Sequence, residues 1–234
     1  ASGNGSVTYS GHTDNLTDIE DLEGSRYSDI FNLSGTLNTG SNNDNYWIRG
    51  EGGSDTITGR SGLLDGVGYD WAASGIVATL TNGSGNVTYA GGSDTLTTIY
   101  NVNGSEYADT LTGSGANKYY FAGNGGGDTI TGGGSTSDEV SYSWSKTGVT
   151  VDLATGSASY VQDGVRRTDT LSKIETVYGS SYDAILTGDT NNNSFSGGTG
   201  NDTLIGGEGA DTLFGEGGND TFVAGVVGSD TYIG

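Results

Sequence analysis

Cysteine, proline and methionine are absent from this 234-residue chain, and histidine occurs once. Without cysteine no disulfide can hold the fold, and thiolate ligation of soft metals falls away. A single histidine excludes a multi-imidazole zinc site. It also leaves Ser-His-Asp chemistry resting on His12 alone, with no G-x-S-x-G elbow joined to a helix. Basic residues are scarce: Lys and Arg together number 8 against 29 Asp and Glu, for a formal net charge of −21. That balance argues against nucleic acid and anionic membrane surfaces as partners. No apolar run is long enough to read as a membrane span. The opening residues ASGNGSVTYSG carry neither the basic nor the apolar region of a signal peptide. Apolar residues make up only 32% of the chain. So polar a chain buries too little surface to offset a backbone entropy of roughly 1–2 kcal/mol per residue. Folding therefore needs a further source of free energy. Divalent cations would supply charge neutralisation and cross-links together.

What the chain has instead is glycine, 45 residues of it, well above the usual ~7%. The glycines recur in register. Near the C-terminus GGTGNDTLI (197–205), GGEGADTLF (206–214), GEGGNDTFV (215–223) and GVVGSDTYI (225–233) each fit G-G-x-G-x-D-x-U-x, with U a large apolar residue. Leu186, Phe195, Leu204, Leu213, Phe222 and Tyr232 are the U residues of this run. The same nonapeptide stands alone as GEGGSDTIT (50–58) and GNGGGDTIT (123–131). A longer period is laid over it. SVTYSGHTDNLTDIEDLEGSRYSDI (6–30), NVTYAGGSDTLTTIYNVNGSEYADT (86–110) and the diverged stretch 158–185 correspond, with Gly-Ser pairs at 24, 104 and 179. DGVGYDWAASGIVATL (65–80) is matched by DEVSYSWSKTGVTVDL (138–153). The chain reads as one elongated unit over 1–234, a piece of a longer repetitive protein.

Nine residues divide into a six-residue turn, GGxGxD, and a three-residue strand, x-U-x. Side chains alternate along a strand, so one U points inward and its flanks point out. Two nonapeptides make one coil with a strand on each side, and coils stack at ~4.8 Å. Turn n then lies against turn n+2, and each Asp meets carbonyls of a neighbouring turn. Calcium takes 6–8 oxygen ligands, carboxylate and carbonyl alike. The chain offers that set, and not the imidazole or thiolate that zinc or copper prefers.

The run GGTGNDTLIGGEGADTLFGEGGNDTFV resembles the RTX repeats of hemolysin-type calcium-binding proteins. The segments 93–113 and 168–188 resemble those that precede such runs in RTX-rich secreted proteins. The resemblance implies an all-β, right-handed parallel β-roll or solenoid, with calcium in the turns. It implies type I export and folding outside the cell. By position, Asp202, Asp211, Asp220, Asp230, Asp55 and Asp128 take the place of the ligand aspartate, with Asp109 in a diverged turn. The carbonyls of Gly197, Thr199, Gly200, Gly206, Glu208 and Gly218 are the implied backbone ligands. Asp202 is expected to share an ion with the turn of Asp220, and Asp211 with that of Asp230. Asp29 and Asp109 follow G-S-x-Y-x-D, and the third copy has Ala184 there with Asp183 shifted by one. Those turns, and that of Asp94, depart from the consensus.

Among the aromatics, Trp47 with Tyr46, and Tyr120 with Tyr119, have the choice of stacking on sugar rings or packing within the chain. Trp71 and Trp144, beside Tyr69 and Tyr142, read as packing, and His12 as a surface loop residue. The sequence-level expectation is a secreted, calcium-binding structural or adhesive module, stiffened by several calcium ions and not an enzyme. Its partners are expected to be extracellular polysaccharide or neighbouring copies in a surface assembly. The alternative is a carbohydrate-binding accessory module of a secreted polysaccharide-active enzyme.

Overall fold

A computed structural model describes residues 4–9, 12–17, 21–33, 47–223, 225 and 227–234, the first two segments by their backbone only. The described secondary structure is entirely β, in one sheet of fifteen strands and one of ten. The nonapeptide accounts for its basic step. Strands such as Thr203–Ile205 and Thr129–Thr131 are three residues long, with the central side chain buried and the flanks turned outward. In the fifteen-stranded sheet Ile185–Thr187 pairs in parallel with Thr203–Ile205, which pairs with Thr221–Val223. In the ten-stranded sheet Thr176–Tyr178, Ser194–Thr199, Thr212–Gly217 and Thr231–Ile233 follow one another in the same way. One coil is thus two nonapeptides. Leu186, Phe195, Leu204 and Leu213 are fully buried between the sheets. Phe222 is only partly covered and Tyr232 is exposed, because each lies on the last strand of its sheet.

The long repeat adds something else. Ser84–Tyr89 runs antiparallel to both Val77–Thr81 and Gly92–Thr97. Ser157–Gln162 runs antiparallel to both Thr150–Asp152 and Val165–Ser172. Each composite unit therefore inserts antiparallel strands into an otherwise parallel sheet, which is why the two sheets differ in strand number. Their turns dictate this. Asn82-Gly83 has φ of 49° and 75°, and Asp163-Gly164 has φ of 50° and 75°, the pair of left-handed residues that a tight hairpin turn requires. His12 begins the strand His12–Thr17, paired with Asn4–Tyr9, and so lies in a strand and not a loop.

The turns leaving the ten-stranded sheet show the logic of the composite repeat. In stacking order they read GSRYSD, GEGGSD and a Trp-containing turn, then GSEYAD, GNGGGD and a second Trp turn, then GSSYDA, GGTGND and GEGGND. A serine turn, a glycine turn and a Trp turn follow one another in the first two units, and in the third a second glycine turn takes the place of the Trp turn. At the Trp turns the inserted strands separate neighbouring coils, and aromatic rings fill the gap. Trp71 meets Tyr89 edge-on at 5.1 Å and Trp144 meets Tyr160 at 4.9 Å. The indole N–H groups donate to the carbonyls of Gly68 and Ser141, at 3.0 and 2.9 Å. Trp71 and Trp144 are packing residues.

Candidate metal centre

The turn aspartates form ladders. One carboxylate oxygen, Oδ1, accepts the backbone N–H of the equivalent residue one coil earlier. Asp202 Oδ1 accepts from Ala184 and Asp220 Oδ1 from Asp202, at 2.7 and 3.0 Å. Asp211 Oδ1 accepts from Asn193 and Asp230 Oδ1 from Asp211, at 2.8 and 3.1 Å. Asp55 and Asp128 accept in the same way from Asp29 and Asp109. The stacking of turn n on turn n+2, read from the nonapeptide, is what brings Asp202 to Asp220 and Asp211 to Asp230.

The second oxygen divides the turns into classes. In the consensus glycine turns, Oδ2 of Asp55, Asp128, Asp202 and Asp211 is buried without a hydrogen-bond partner. This oxygen lies over the first glycine of its own turn. A Cβ on Gly197 or Gly206 would come within 2.3 Å of it, so any other residue would push the carboxylate out. Burying an unpaired carboxylate oxygen is costly. Burial pushes Asp55 up to about 7 and Asp128 up to about 9, and it raises Asp202 and Asp211 as well. Burial raises Asp94, Asp109 and Asp169 as well, so the bare second oxygen, and not the shift, sets the glycine turns apart. Asp230 differs: the N–H of Asp211, then the Tyr232 hydroxyl, hold its carboxyl below the usual range.

The diverged turns close the same oxygens from within. Ser105 donates its N–H to Asp109 Oδ2 at 2.7 Å and its hydroxyl to Oδ1 at 2.8 Å. Ser25 donates both groups to Asp29 Oδ2. At the hairpins tyrosines do this work. Tyr69 and Tyr89 donate to Asp94 at 2.9 and 2.8 Å, and Tyr142 and Tyr160 donate to Asp169 at 2.9 and 3.2 Å. In the turn after Thr56–Thr58 the Arg60 guanidinium meets Asp65, both fully buried. Asn193 replaces the aspartate of its turn, and its Oδ1 accepts the Asp189 N–H at 2.9 Å. Asp183 is turned outward and accepts the Asn201 N–H at 2.8 Å. The tyrosine and arginine closures went unread in the sequence, although Y-x-W and the missing second glycine marked where they fall.

Backbone completes the glycine turns. A Cβ on Gly179 would approach the carbonyl of Gly197 at 2.3 Å, and one on Gly207 that of Asp189 at 2.4 Å. The carbonyls of Gly197, Gly200, Gly206 and Gly218, with those of Thr199 and Glu208, lie in these stacked turns. Thr199 also donates its hydroxyl to the Ser181 carbonyl at 3.1 Å, and Glu208 bridges to Val227. Among the described residues no three acidic or imidazole side chains converge. A cation here would be held by one or two carboxylates and a set of carbonyls, the donor mixture that suits calcium.

The proposed sugar-stacking aromatics lie elsewhere, on the ten-stranded sheet. The Trp47 ring lies flat against Gly66 and Gly68, where a Cβ would collide with it. Tyr120 packs on Tyr178 with ring centroids 6.2 Å apart. Tyr119 is wholly buried, its hydroxyl donating to the Ser114 carbonyl and accepting from Gly83, so it offers no face to a ligand. Tyr46 lies outside the described residues.

A family model of the RTX calcium-binding nonapeptide repeat matches the chain in four copies, over residues 36–62 and 187–222. Residues 36–46 of the first match are outside those described. The matched stretches include the turns of Asp55, Asp202, Asp211 and Asp220. No curated protein matches the chain.

Proposed function

Since the chain carries RTX calcium-binding nonapeptide repeats, we infer that it is an extracellular structural module whose folding is driven by calcium at its glycine turns. One observation carries this reading. Buried, unpartnered carboxylate oxygens occur at Asp55, Asp128, Asp202 and Asp211, all in glycine turns. The aspartates of serine and tyrosine turns are hydrogen-bonded. We assign calcium to Asp202, Asp211, Asp55 and Asp128, with Asp220 and Asp230 completing the C-terminal stacks. The carbonyls of Gly197, Thr199, Gly200, Gly206, Glu208 and Gly218 serve as further ligands. The Asp109 turn is closed by Ser105 and takes no ion.

Bound calcium would neutralise the aspartates and tie consecutive coils together. The chain's own part is to hold one oxygen of each carboxylate by the ladder N–H and to leave the other bare over glycine. In the unfolded state, carboxylate repulsion and low hydrophobicity favour an open chain, suited to passage through an export channel. Millimolar calcium outside the cell then turns binding energy into folding energy. RTX repeats are generally structural and non-catalytic, and among the described residues no helix is long and apolar enough to cross a membrane. A stiff surface or adhesive element fits these properties. Far-UV circular dichroism tests the reading: coil is expected in EDTA and β structure in millimolar calcium. The same β spectrum in both would refute it.

A further inference from the structure

Three tyrosines stand exposed at equivalent corners of the stack. Tyr27, Tyr107 and Tyr182 are the fourth residues of the three serine turns, with 64%, 50% and 50% of their surface exposed. Each sits on the same brace. The hydroxyl of Ser25, Ser105 or Ser180 accepts the tyrosine N–H at 3.1–3.2 Å. Ser180 donates its hydroxyl to the Tyr182 carbonyl at 3.1 Å, whereas Ser25 and Ser105 donate theirs to Asp29 and Asp109. On the next coil the residue against each tyrosine backbone is glycine: Gly53, Gly126 and Gly200. No side chain can rise from those positions beside the rings. The backbone is fixed and the ring is presented outward, with the Arg26 guanidinium over one face of Tyr27, 5.1 Å from the ring centroid, and donating to its hydroxyl at 3.0 Å.

The spacing is regular. Between successive serine turns the ten-stranded sheet advances three strands and the fifteen-stranded sheet five, so the rings repeat at roughly 14–24 Å. Beside Tyr107 a cleft of about 100 Å³ is lined by Glu106, Trp144, Lys146, Val161, Gln162 and Asp163. The longer second hairpin builds it. Gln162 reaches back to donate to Glu106 at 2.8 Å and accepts the Gly126 N–H at 2.9 Å.

Isolated rings with polar neighbours do not make a protein interface, which needs a contiguous apolar centre. They suit a ligand that is itself periodic and extended, with ring faces to stack and hydroxyls to hydrogen-bond. Tyrosine serves this end well, being broad, amphipathic and low in entropy cost. With a net charge of −21, the chain would repel a polyanion. The geometry points to an uncharged, extended polysaccharide lying along this edge, stacked on Tyr27, Tyr107 and Tyr182 and anchored in the cleft beside Tyr107.

Affinity electrophoresis of the calcium-loaded chain tests this, in gels containing hydroxyethylcellulose, galactomannan or laminarin, with alginate as the polyanion. At least one neutral polymer should retard the wild-type chain. Tyr107→Ala should weaken retardation about tenfold, and the triple variant Tyr27→Ala/Tyr107→Ala/Tyr182→Ala should abolish it, while Tyr107→Trp preserves it. Circular dichroism in calcium checks that each variant is folded, so a failure of ion-driven folding is seen separately. Retardation by alginate alone, by none of the polymers, or unchanged in the triple variant would overturn the assignment. So would sedimentation showing that the rings instead join two copies of the chain.

Discussion

Replacing Asp211 by asparagine separates the two roles of its carboxylate. Oδ1 accepts the Asn193 N–H at 2.8 Å, and an amide oxygen can do the same. Oδ2 is the buried oxygen without a partner. Asn193 shows that an amide fits this kind of cradle, although there the oxygen is the atom over Gly188, accepting the Asp189 N–H, and the residue is buried. Asp211→Asn therefore keeps the ladder and removes the bare anion. The metal-free fold should be stabilised, because a neutral amide replaces a buried carboxylate whose charge is costly there. The calcium-loaded fold should lose one site. Extracellular calcium modules bind at roughly 0.1–1 mM, so at about 10 mM calcium one site contributes ~1.4–2.7 kcal/mol. The variant should thus take up about one ion fewer on folding, read as the slope of the folding equilibrium against calcium in a circular dichroism titration. Asp211→Ala loses the ion and the ladder bond together, leaving the Asn193 N–H unpaired, and should be the less stable of the two by about 1–3 kcal/mol. An unchanged slope in Asp211→Asn would refute the assignment of Oδ2 to an ion. So would a metal-free state no more ordered than that of Asp211→Ala.

The internally closed turns should answer differently. Ser105→Ala removes a hydroxyl from Asp109 and Tyr142→Phe removes one from Asp169. Each should lower the stability of the calcium-loaded chain by about 1–3 kcal/mol in a urea melt and leave ion uptake unchanged; a loss of calcium stoichiometry would place an ion in those turns after all. Acidity should act on the metal-free chain in the direction set by burial. Folded-state values of Asp55 and Asp128 are raised to about 7 and about 9, so these groups favour the fold below the unfolded carboxylate range. Their contribution is lost as pH climbs toward those values. In EDTA, β structure should be greater at pH 4.5 than at pH 9; the reverse order would show that burial does not govern these carboxylates.

The nonapeptide made much of this molecule legible. Thr203-Leu204-Ile205 and its equivalents are too short to be anything but strands between glycine turns, and their period of two fixes which side chain is buried. Asp202, Asp211 and Asp220 declared themselves by register. The antiparallel hairpins were harder, because V-T-Y and D-T-L read as further parallel steps. Asn82-Gly83 and Asp163-Gly164 were the available signals. The sequence set the turns of Asp29, Asp94 and Asp109 apart by their departure from the consensus, but what closes their carboxylates was out of reach. It depends on where Ser105, Tyr69, Tyr142 and Arg60 point, and those side chains reach their carboxylates only once the coils are stacked.

Fifteen strands on one wall and ten on the other cannot be reconciled in a straight rod. Each hairpin lengthens one wall by two strand spacings, ~10 Å, while the corners still bind both walls coil by coil. The surplus has to be taken up as bend, with the longer wall outermost. An array of such units would follow an arc, its curvature written into the placement of Asn-Gly and Asp-Gly pairs. Deleting a hairpin would straighten the path, and would also remove the carboxylates of Asp94 or Asp169 that accept the N–H of Asp55 or Asp128.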